Sequence, residues 1–376
     1  MAICLTIISP SLPRLASHFG LNHGEMGLLL TYEFVGFTAF TLFSGVIADH
    51  IGKRKTFLLF MAMLVCSVFL LAFSPNFSFL CVVLLFLGGG MGVFETMSNA
   101  ILSDLCDEGE RAFQINMMQC FFGIGAVAGP ILASLAYSND VSWRIVYQLL
   151  GALLIALTLW FVMNRFPPLP PAGKIRLGDI KNLLTDKKFL LICLCMFCYT
   201  GSEVGSWGWM SEYTESVMRF TVMESGAAVA VFWTAMTIGR MIIAKLLARV
   251  DLRKFIMWLS LLAGVVCALM GVAQDKASVW IVIVLLGFAC SGVWGMILSY
   301  GAEIYTRNSG TVFSTFIASG GIGMSVVPGA MGFSAGFLGL RGSLVIPAAF
   351  LALIAALFAI IPRFKASASD AASGPG

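Results

Sequence analysis

The amino-acid sequence predicts an all-α polytopic membrane protein with twelve transmembrane helices in two pseudo-symmetric six-helix halves. Three observations support this fold class: the composition, the recurrence of long apolar stretches, and an internal repeat. Of the 376 residues, 59% are hydrophobic and 11% are charged, and the mean hydropathy is +0.94. Soluble domains carry about 25% charged residues, so this composition is typical of a protein that lies in the bilayer.

Twelve apolar stretches are each about as long as the roughly 20 residues that a helix needs to cross a membrane. They cover residues 2–19, 25–47, 56–73, 78–103, 113–137, 142–163, 189–213, 223–247, 255–273, 279–301, 311–336 and 342–362. We number these predicted helices 1 to 12. Glu25, Glu212 and Glu215 fall near helix ends, where we expect them to be solvated.

The basic residues between the helices predict the orientation of the chain. Seventeen of the 23 Lys and Arg residues lie in the even-numbered loops, the middle loop and the C-terminal tail. Five lie in the odd-numbered loops, and Arg240 lies inside helix 8. Because basic loops stay on the cytoplasmic side, both termini are predicted to be cytoplasmic. The net charge of +4 therefore reflects topology, and we expect no nucleic-acid partner.

Several function classes are excluded by what the sequence lacks. The ten cysteines lie in or beside apolar helices, and the three histidines have no metal-ligand spacing. No phosphate-binding loop and no nucleophile elbow occurs in the sequence. We therefore expect no enzyme, no metal and no cofactor, and a proton gradient as the energy source.

An internal repeat with an offset near 200 residues divides the chain into two parallel halves. The proline-rich and then basic stretch 164–188 predicts a cytoplasmic linker between residues 1–163 and 189–363, and residues 364–376 predict a disordered tail. Gly92-Val93 corresponds to Gly292-Val293. The other matches pair Gly123, Gly125 and Pro130 with Gly321, Gly323 and Pro328. Such repeats are typical of transporters with a midplane site.

The repeat also concerns helix 1. Helix 7 is the counterpart of helix 1 in the second half, and it begins near Phe189. With the same offset, helix 1 would begin about eleven residues before Met1. We therefore expect a truncated first helix, from a wrong start codon or a gene fragment. A naturally short helix, broken at Pro13 and Arg14, is the alternative.

The loop FSGVIADHIGKRKTF at residues 43–57 resembles the signature loop of the major facilitator superfamily. The matching residues are Gly45, Asp49, Gly52, Lys53 and Arg54. The resemblance implies a cytoplasmic gate, in which Asp49 pairs with basic residues or a helix N-terminus. A second copy, IGRMIIAKLLARVDLRK at 238–254, adds Gly239 and Arg240 to the predicted gate.

Four further stretches resemble the fucose permease-like branch of sugar–proton symporters: ETMSN, NMMQCFFGIGA, FCYTGSEVGSWGWMSEY and SGGIGMSVVPGAMGF. By that resemblance Glu95 is the protonatable carboxylate, and Asn99 and Gln119 bind the sugar. The chain departs from the branch at Ser9, where those symporters have a second acid. The implied location is the inner (plasma) membrane of a bacterium.

The residues themselves indicate the same chemistry. Acids inside apolar helices are expensive and suggest a proton or substrate pathway, which gives Glu95, Glu203 and Glu33 as proton-coupling candidates. Amides and aromatics at helical spacing suit a hydroxylated substrate. The substrate-binding candidates are Asn99, Asn116, Gln119, Tyr32, Tyr199 and Trp207. As alternatives, Glu33 pairs with Arg240 or with a backbone group as part of the packing, and the tryptophans pack or anchor the chain at the membrane interface.

We therefore predict a secondary active transporter that works by alternating access and takes up a sugar or related polyol with protons. Its predicted partners are a small polar substrate, protons and the lipid bilayer, and it is predicted to be a monomer. A proton-driven exporter of a drug or metabolite is the first alternative, and a basic cavity would favour anions. A transport-inactive membrane sensor is the second.

Overall fold

The computed structural model describes residues 1–105, 108–164, 185–246, 251–305 and 309–360. The described part of the structure does not include the side chains of Asp49, Asn116 and Gln119. It also does not include most of the predicted linker. We label the helices α1 to α12 after the twelve predicted helices. Ten of the described helices are long and apolar enough to cross a membrane.

The first half contains six helical segments. The segment α1 is divided into Ala2–Thr6 and Ile8–Phe19, and it continues through Pro13. Its interruption is at Ile7, not at Pro13 and Arg14 as the sequence suggested. The others are α2 (His23–Ile51), α3 (Lys53–Ala72), α4 (Phe77–Leu105), α5 (Glu108–Ser138) and α6 (Trp143–Met163).

The second half repeats this order with more interruptions. The segment α7 consists of Lys187–Gly208, the short helix Met210–Glu212 and a π-helical turn, Tyr213–Val217. The next helices are α8 (Val222–Leu246) and α9 (Leu252–Val272). The segment α10 is divided into Lys276–Cys290 and Val293–Ile304. Last come α11 (Ser309–Ser343), kinked at Gly339, and α12 (Val345–Ile360).

A pair of close helix contacts shows the internal repeat in three dimensions. A Cβ atom at Gly88 of α4 would collide with the carbonyl oxygen of Glu33 on α2. A Cβ atom at Gly287 of α10 would likewise collide with the carbonyl oxygen of Phe232 on α8. The two contacts are equivalent under an offset of 199 residues, since both members of each pair shift by that number. The twelve-helix, two-half arrangement predicted from the sequence is confirmed.

The repeat is broken at one predicted match. Gly92 lies within the continuous helix α4, whereas Gly292 has a φ of +80° and interrupts α10. A hydrogen bond from α7 stabilises this interruption, because the Tyr199 hydroxyl donates to the carbonyl oxygen of Cys290 at 2.5 Å. The two halves therefore share their packing but not the course of this helix.

Helices alternate in direction, so the chain has two faces. We call the side carrying residues 20–22, 73–76, 139–142, 218–221 and 273–275 the odd-loop face. The opposite side, carrying residues 52, 164, 185–186, 251 and 305, is the even-loop face. The two most extensive seams between the halves are α2 against α11 and α5 against α8. These seams determine which face is closed.

Candidate substrate and proton site

A cavity of about 310 Å³ lies in the even-loop half of the molecule. Its lining comes from α1, α4 and α5 of the first half: Met1, Ala2, Ile3, Phe94, Glu95, Ser98, Met118, Phe121, Phe122 and Gly125. Glu95 is ten residues from the even-loop end of α4, a depth of about 15 Å. The predicted proton carrier therefore reaches a cavity rather than lipid.

Glu95 and Asn99 share one face of α4, as their spacing predicted. The Asn99 side-chain amide donates to the backbone carbonyl of Glu95 at 2.9 Å, and both residues are half-buried. Next to them, the Ser98 hydroxyl donates to the carbonyl oxygen of Phe94 at 2.6 Å. One carboxylate, one amide and one hydroxyl thus lie on the same turn of helix beside the cavity. Asn116 and Gln119 are on α5, but their side chains are outside the described ones.

The second acidic group, Glu203, lies on α7 in the other half and is half-buried. Its carboxylate interacts with the Tyr199 hydroxyl and with the guanidinium of Arg240 on α8. The same guanidinium interacts electrostatically with Glu95. Arg240, which the sequence assigned to the gate, therefore interacts electrostatically with both of these acids, which the sequence assigned to proton coupling.

Glu33 is in a different environment from the other two acids. Its side chain is fully buried, and neither carboxylate oxygen has a hydrogen-bond partner in the described part of the chain. The groups that interact with it electrostatically are Cys4 on α1 and Tyr147 on α6, inside the first half. The structure therefore does not contain the alternative ion pair between Glu33 and Arg240.

Tyr32 and Tyr199, two predicted substrate residues, are not among the residues that line the cavity. Tyr32 is 39% exposed and lies on one stripe of α2 with Leu28 and Val35, which are 43% and 39% exposed. Such a stripe is the side of the helix that faces lipid. Tyr199 is fully buried and bonded to Cys290, so its hydroxyl is already used.

Trp207 belongs to an aromatic cluster at the junction of the halves. Its ring is 6.3 Å from Phe34 on α2 and 5.9 Å from Trp233 on α8, and Trp233 is 5.8 Å from Phe122. Trp207 is 1% exposed, so it packs above the cavity and does not line it. Phe122 does line the cavity, which connects this cluster to the site.

The odd-loop half of the molecule is closed by the seam between α2 and α11. Helix α2 packs closely against glycines of α11. A Cβ atom at Gly27 of α2 would be only 3.0 Å from the Cα atom of Gly332 of α11. Further along the seam, Thr31 contacts Gly329 and Thr38 contacts Gly321. Because α11 has no side chains at these positions, the two helices approach at backbone distance.

Polar contacts between α1 and α7 close the same side. The Ser9 hydroxyl donates to the carbonyl oxygen of Trp207 at 2.8 Å, and it lies 3.2 Å from the hydroxyl of Ser211, within hydrogen-bond distance. Arg14 forms an ion pair with Glu215 at 2.5 Å, and the side chain of Glu215 is 14% exposed. Ser9 therefore forms a hydrogen bond between the halves, at the position where the resemblance to the symporters implies an acid.

The expectation that Glu212 and Glu215 are solvated is wrong. Glu212 is 8% exposed, and its carboxylate is 3.8 Å from His23. Position near a helix end suggested solvation, but the partners lie on α1 and α2, about 200 residues away in sequence. One feature of the sequence could have predicted these pairs. Two acids lie close together near the end of α7, and Arg14 lies in an odd-numbered loop, on the same side of the membrane.

The predicted gate residues are only partly described. Gly45 and Gly52 have no atom near a would-be Cβ, and Gly52 ends α2 with a φ of +88°. Arg54 donates to the carbonyl oxygen of Asn164 at the end of α6. Lys53 is the first residue of α3, and the Asp49 side chain is outside the described ones. Gly239 of α8 packs against Ser291 at the interruption of α10.

Comparison with known proteins identifies the family. The family model of the Major Facilitator Superfamily matches residues 1–301. Among curated proteins, the chain is 24% identical over 322 residues to a Protein TsgA homolog of Buchnera aphidicola subsp. Baizongia pistaciae, covering 85% of this chain and 81% of that one. It is 21% identical over 313 residues to the TsgA homolog of Edwardsiella ictaluri, covering 82% and 79%.

Solved structures agree with this fold. A bacterial homolog of the human lysosomal transporter Spinster, inward-facing and unoccupied, gives a TM-score of 0.80 at 17% identity, covering 95% of this chain and 93% of that one. The Escherichia coli fucose:proton symporter FucP gives 0.63 at 20% identity, covering 95% and 97%. The chain therefore belongs to the major facilitator superfamily, whose members are membrane transporters and not enzymes.

Proposed function

We propose that this transporter moves a sugar or related polyol together with protons by alternating access. The observation that carries the proposal is Glu95, a half-buried carboxylate on the wall of a cavity at membrane depth. A carboxylate there costs roughly 2.5–3.5 kcal/mol on insertion scales, so it is retained for a function. Exchange of a proton with cavity water is the function that its position allows.

The arrangement of the halves supports one step of the cycle. Contacts along α2 and α11, and between α1 and α7, close the odd-loop half, while the cavity lies in the even-loop half. The basic loops predict that the even-loop face is cytoplasmic, in a bacterial inner membrane with both termini inside. The structure then corresponds to the state in which substrate leaves to, or enters from, the cytoplasm.

The charge arrangement supports proton coupling. Arg240 interacts with Glu95 of the first half and with Glu203 of the second half. Protonation of Glu95 weakens its attraction to the guanidinium, and that attraction links the halves, whereas Glu203 and Arg240 both belong to the second half. The protonation state of Glu95 would therefore change the free energy of the closed and open states by different amounts, which is what coupling requires.

The polar groups beside the cavity support a hydroxylated substrate. Ser98 lines the cavity with Glu95, Asn99 lies on the same turn of α4, and Asn116 and Gln119 come from α5, another lining helix. The volume of about 310 Å³ is at the lower end for small-molecule sites, which suits a monosaccharide. FucP, whose fold this chain shares, is described as a fucose:proton symporter, and this supports the sugar class.

A second candidate is proton-driven export of an amphipathic metabolite or drug. The observation that favours it is the apolar part of the lining, to which Phe94, Met118, Phe121 and Phe122 contribute. Aromatic and thioether side chains bind apolar surface without a fixed hydrogen-bond pattern. The export hypothesis predicts proton-driven efflux of hydrophobic dyes, whereas the uptake hypothesis predicts exchange of sugars.

Counterflow in proteoliposomes tests the proposal. Vesicles are loaded with unlabelled L-fucose, D-galactose, D-glucose or D-glucitol, and entry of the labelled compound is followed without a driving force. We expect exchange of at least one compound by the parent protein and by Glu95→Gln, with pH-driven accumulation only by the parent.

The control is Glu25→Gln, which changes an acid of the capping box at the odd-loop end of α2. It should both exchange and accumulate substrate as the parent does. If the folded parent exchanges no compound of the panel, the sugar proposal is wrong. Dye efflux would then favour the exporter, and absence of all flux would favour a sensor.

A further inference from the structure

Arg240 lies on the stripe of α8 that faces the first half. Along α8, Gly226 packs against Ser134 of α5, Trp233 against Phe122, and Thr237 against Gly123. These positions are separated by seven and four residues, so they define one face of the helix. Arg240 is the next position on that face, one turn beyond Thr237.

The antiparallel pairing of α5 and α8 gives the depth of Arg240. Each step toward the even-loop end of α8 corresponds to a step toward the start of α5. Three residues beyond Thr237, α5 reaches position 120, about half a turn from Met118, which lines the cavity. Arg240 is half-buried at this depth, and its charge interacts with Glu95, which lines the cavity from α4.

The guanidinium of Arg240 has little hydrogen bonding of its own. Its one hydrogen bond to the described residues goes to the sulphur of Met236 at 3.8 Å, and no carboxylate of those residues lies within ion-pair distance. A guanidinium has five N–H donors and is always charged. A charge at this depth is costly unless it is paired or hydrogen-bonded, so the group is poised for a ligand.

The surrounding charges indicate which ligand. The charged and titratable groups that interact with Arg240 are Glu95 on α4 and Glu203 and Tyr199 on α7, and Glu95 also interacts with the α-amino group of Met1. Because Arg240 interacts with two acids, protonation of one of them leaves room for one substrate carboxylate in its place. A doubly charged phosphate would be repelled by the remaining acid, whereas a single carboxylate matches the planar fork of Arg.

We propose that Arg240 binds the carboxylate of the transported substrate, which is a polyhydroxylated monocarboxylate, a sugar acid and not a neutral sugar. The inference rests on the proposed transport of a sugar-like molecule and specifies its chemical class. The hydroxyl groups of such a substrate face the α4 and α5 wall with Asn99 and Ser98, and its carboxylate faces α8. Binding of the anion requires the acid beside Arg240 to be neutral, so anion and proton move together.

The test compares substrates that share a carbon skeleton. Counterflow is measured in proteoliposomes with gluconate, glucose, glucitol and glucose 6-phosphate for the parent, Arg240→Gln and Arg240→Lys. In the parent, gluconate should half-saturate exchange at a lower concentration than glucose or glucitol. Arg240→Gln should raise that concentration about tenfold or more for gluconate, the effect of losing hydrogen bonds to a charged group, and leave glucitol within about twofold.

Two variants separate substrate binding from a structural role. Arg240→Lys keeps the charge but loses the two-pronged geometry, so an intermediate affinity for gluconate is expected. Arg341→Gln is the matched control, because the guanidinium of Arg341 also contacts a methionine sulphur, that of Met218, but at the odd-loop end of α11. It should exchange gluconate as the parent does.

Each remaining outcome overturns the inference. Exchange of glucose or glucitol without gluconate would leave the proposed function intact and reject the sugar-acid class. Preference for glucose 6-phosphate would reject the monocarboxylate, and an equal loss for all substrates in Arg240→Gln would make Arg240 structural. If the folded parent exchanges nothing in this panel or in the neutral sugar panel, the inference and the proposed function fail together.

Discussion

Substitution of Gly332 by alanine should open the odd-loop side of the protein. Gly332 lies on α11, where a Cβ atom would be 2.5 Å from the carbonyl oxygen of His23 and 2.8 Å from the Cα atom of Gly27. Both atoms belong to the backbone of α2, in the other half. A third neighbour, Trp209 at 2.9 Å, belongs to α7 and can move as a side chain.

The magnitude follows from the kind of atoms that collide. Adding one methyl group to a tightly packed contact costs about 1–3 kcal/mol. Backbone atoms of a helix cannot rotate away, so the two helices must separate. The cost therefore falls on the state in which the α2–α11 seam is closed. A difference of about 1–3 kcal/mol shifts the ratio of open to closed molecules by about 5- to 150-fold.

The assay is a distance measurement across the odd-loop face. Spin labels are attached at Asn139→Cys and Gln274→Cys, which are exposed and belong to opposite halves. The ten native cysteines are replaced beforehand. In lipid nanodiscs, we expect the distance distribution of Gly332→Ala to move toward the longer component.

The control is on the same helix, four residues further on. A Cβ atom at Gly336 would have no heavy atom within 4 Å, so Gly336→Ala should leave the distance distribution unchanged. The reasoning would be refuted if Gly332→Ala kept the parental distribution, or if Gly336→Ala shifted it equally. Either result would mean that the seam is not what holds this side closed.

Three further predictions concern single groups. Arg14 and Glu215 should show a coupling of about 0.5–3 kcal/mol for closure of the odd-loop side in a double-mutant cycle read by the same label pair; additive effects would contradict their ion pair. Trp233→Phe should leave the half-saturating substrate concentration within about twofold, because Trp233 is 4% exposed and is not among the residues that line the cavity; a tenfold rise would show that it contacts the substrate. Glu33→Met should raise the melting temperature, because the partnerless carboxylate is costly to bury; a fall of several degrees would reveal a partner.

Much of the fold was predictable because membrane helices leave a strong signal. Length and hydropathy gave the twelve segments, and the repeat gave two halves with equivalent packing at Gly88 and Gly287. The cavity position of Glu95 was also predictable, since an acid at that depth must face water or another polar group. These features depend on composition and spacing, which a single sequence contains.

The remaining features depend on contacts that are distant in sequence. Gly92-Val93 and Gly292-Val293 are identical pairs, yet only the second interrupts its helix. The hydroxyl of Tyr199 bonds to the carbonyl of Cys290 at that interruption, and sequence spacing does not show this pairing. Residues that are adjacent in sequence also lie in different environments, since Tyr32 lies on the exposed stripe of α2 and Glu33 is buried.

The measurement that tests the central claim most directly is substrate-driven proton movement through Glu95. Proteoliposomes containing a pH-sensitive dye receive the best-exchanged compound of the counterflow panels, with the parent, Glu95→Gln and Glu25→Gln compared. The parent and Glu25→Gln should move protons with substrate, whereas Glu95→Gln should exchange substrate without moving protons. Parental proton movement by Glu95→Gln would contradict the assignment of Glu95 as the proton carrier, and with it the proposed mechanism of coupling.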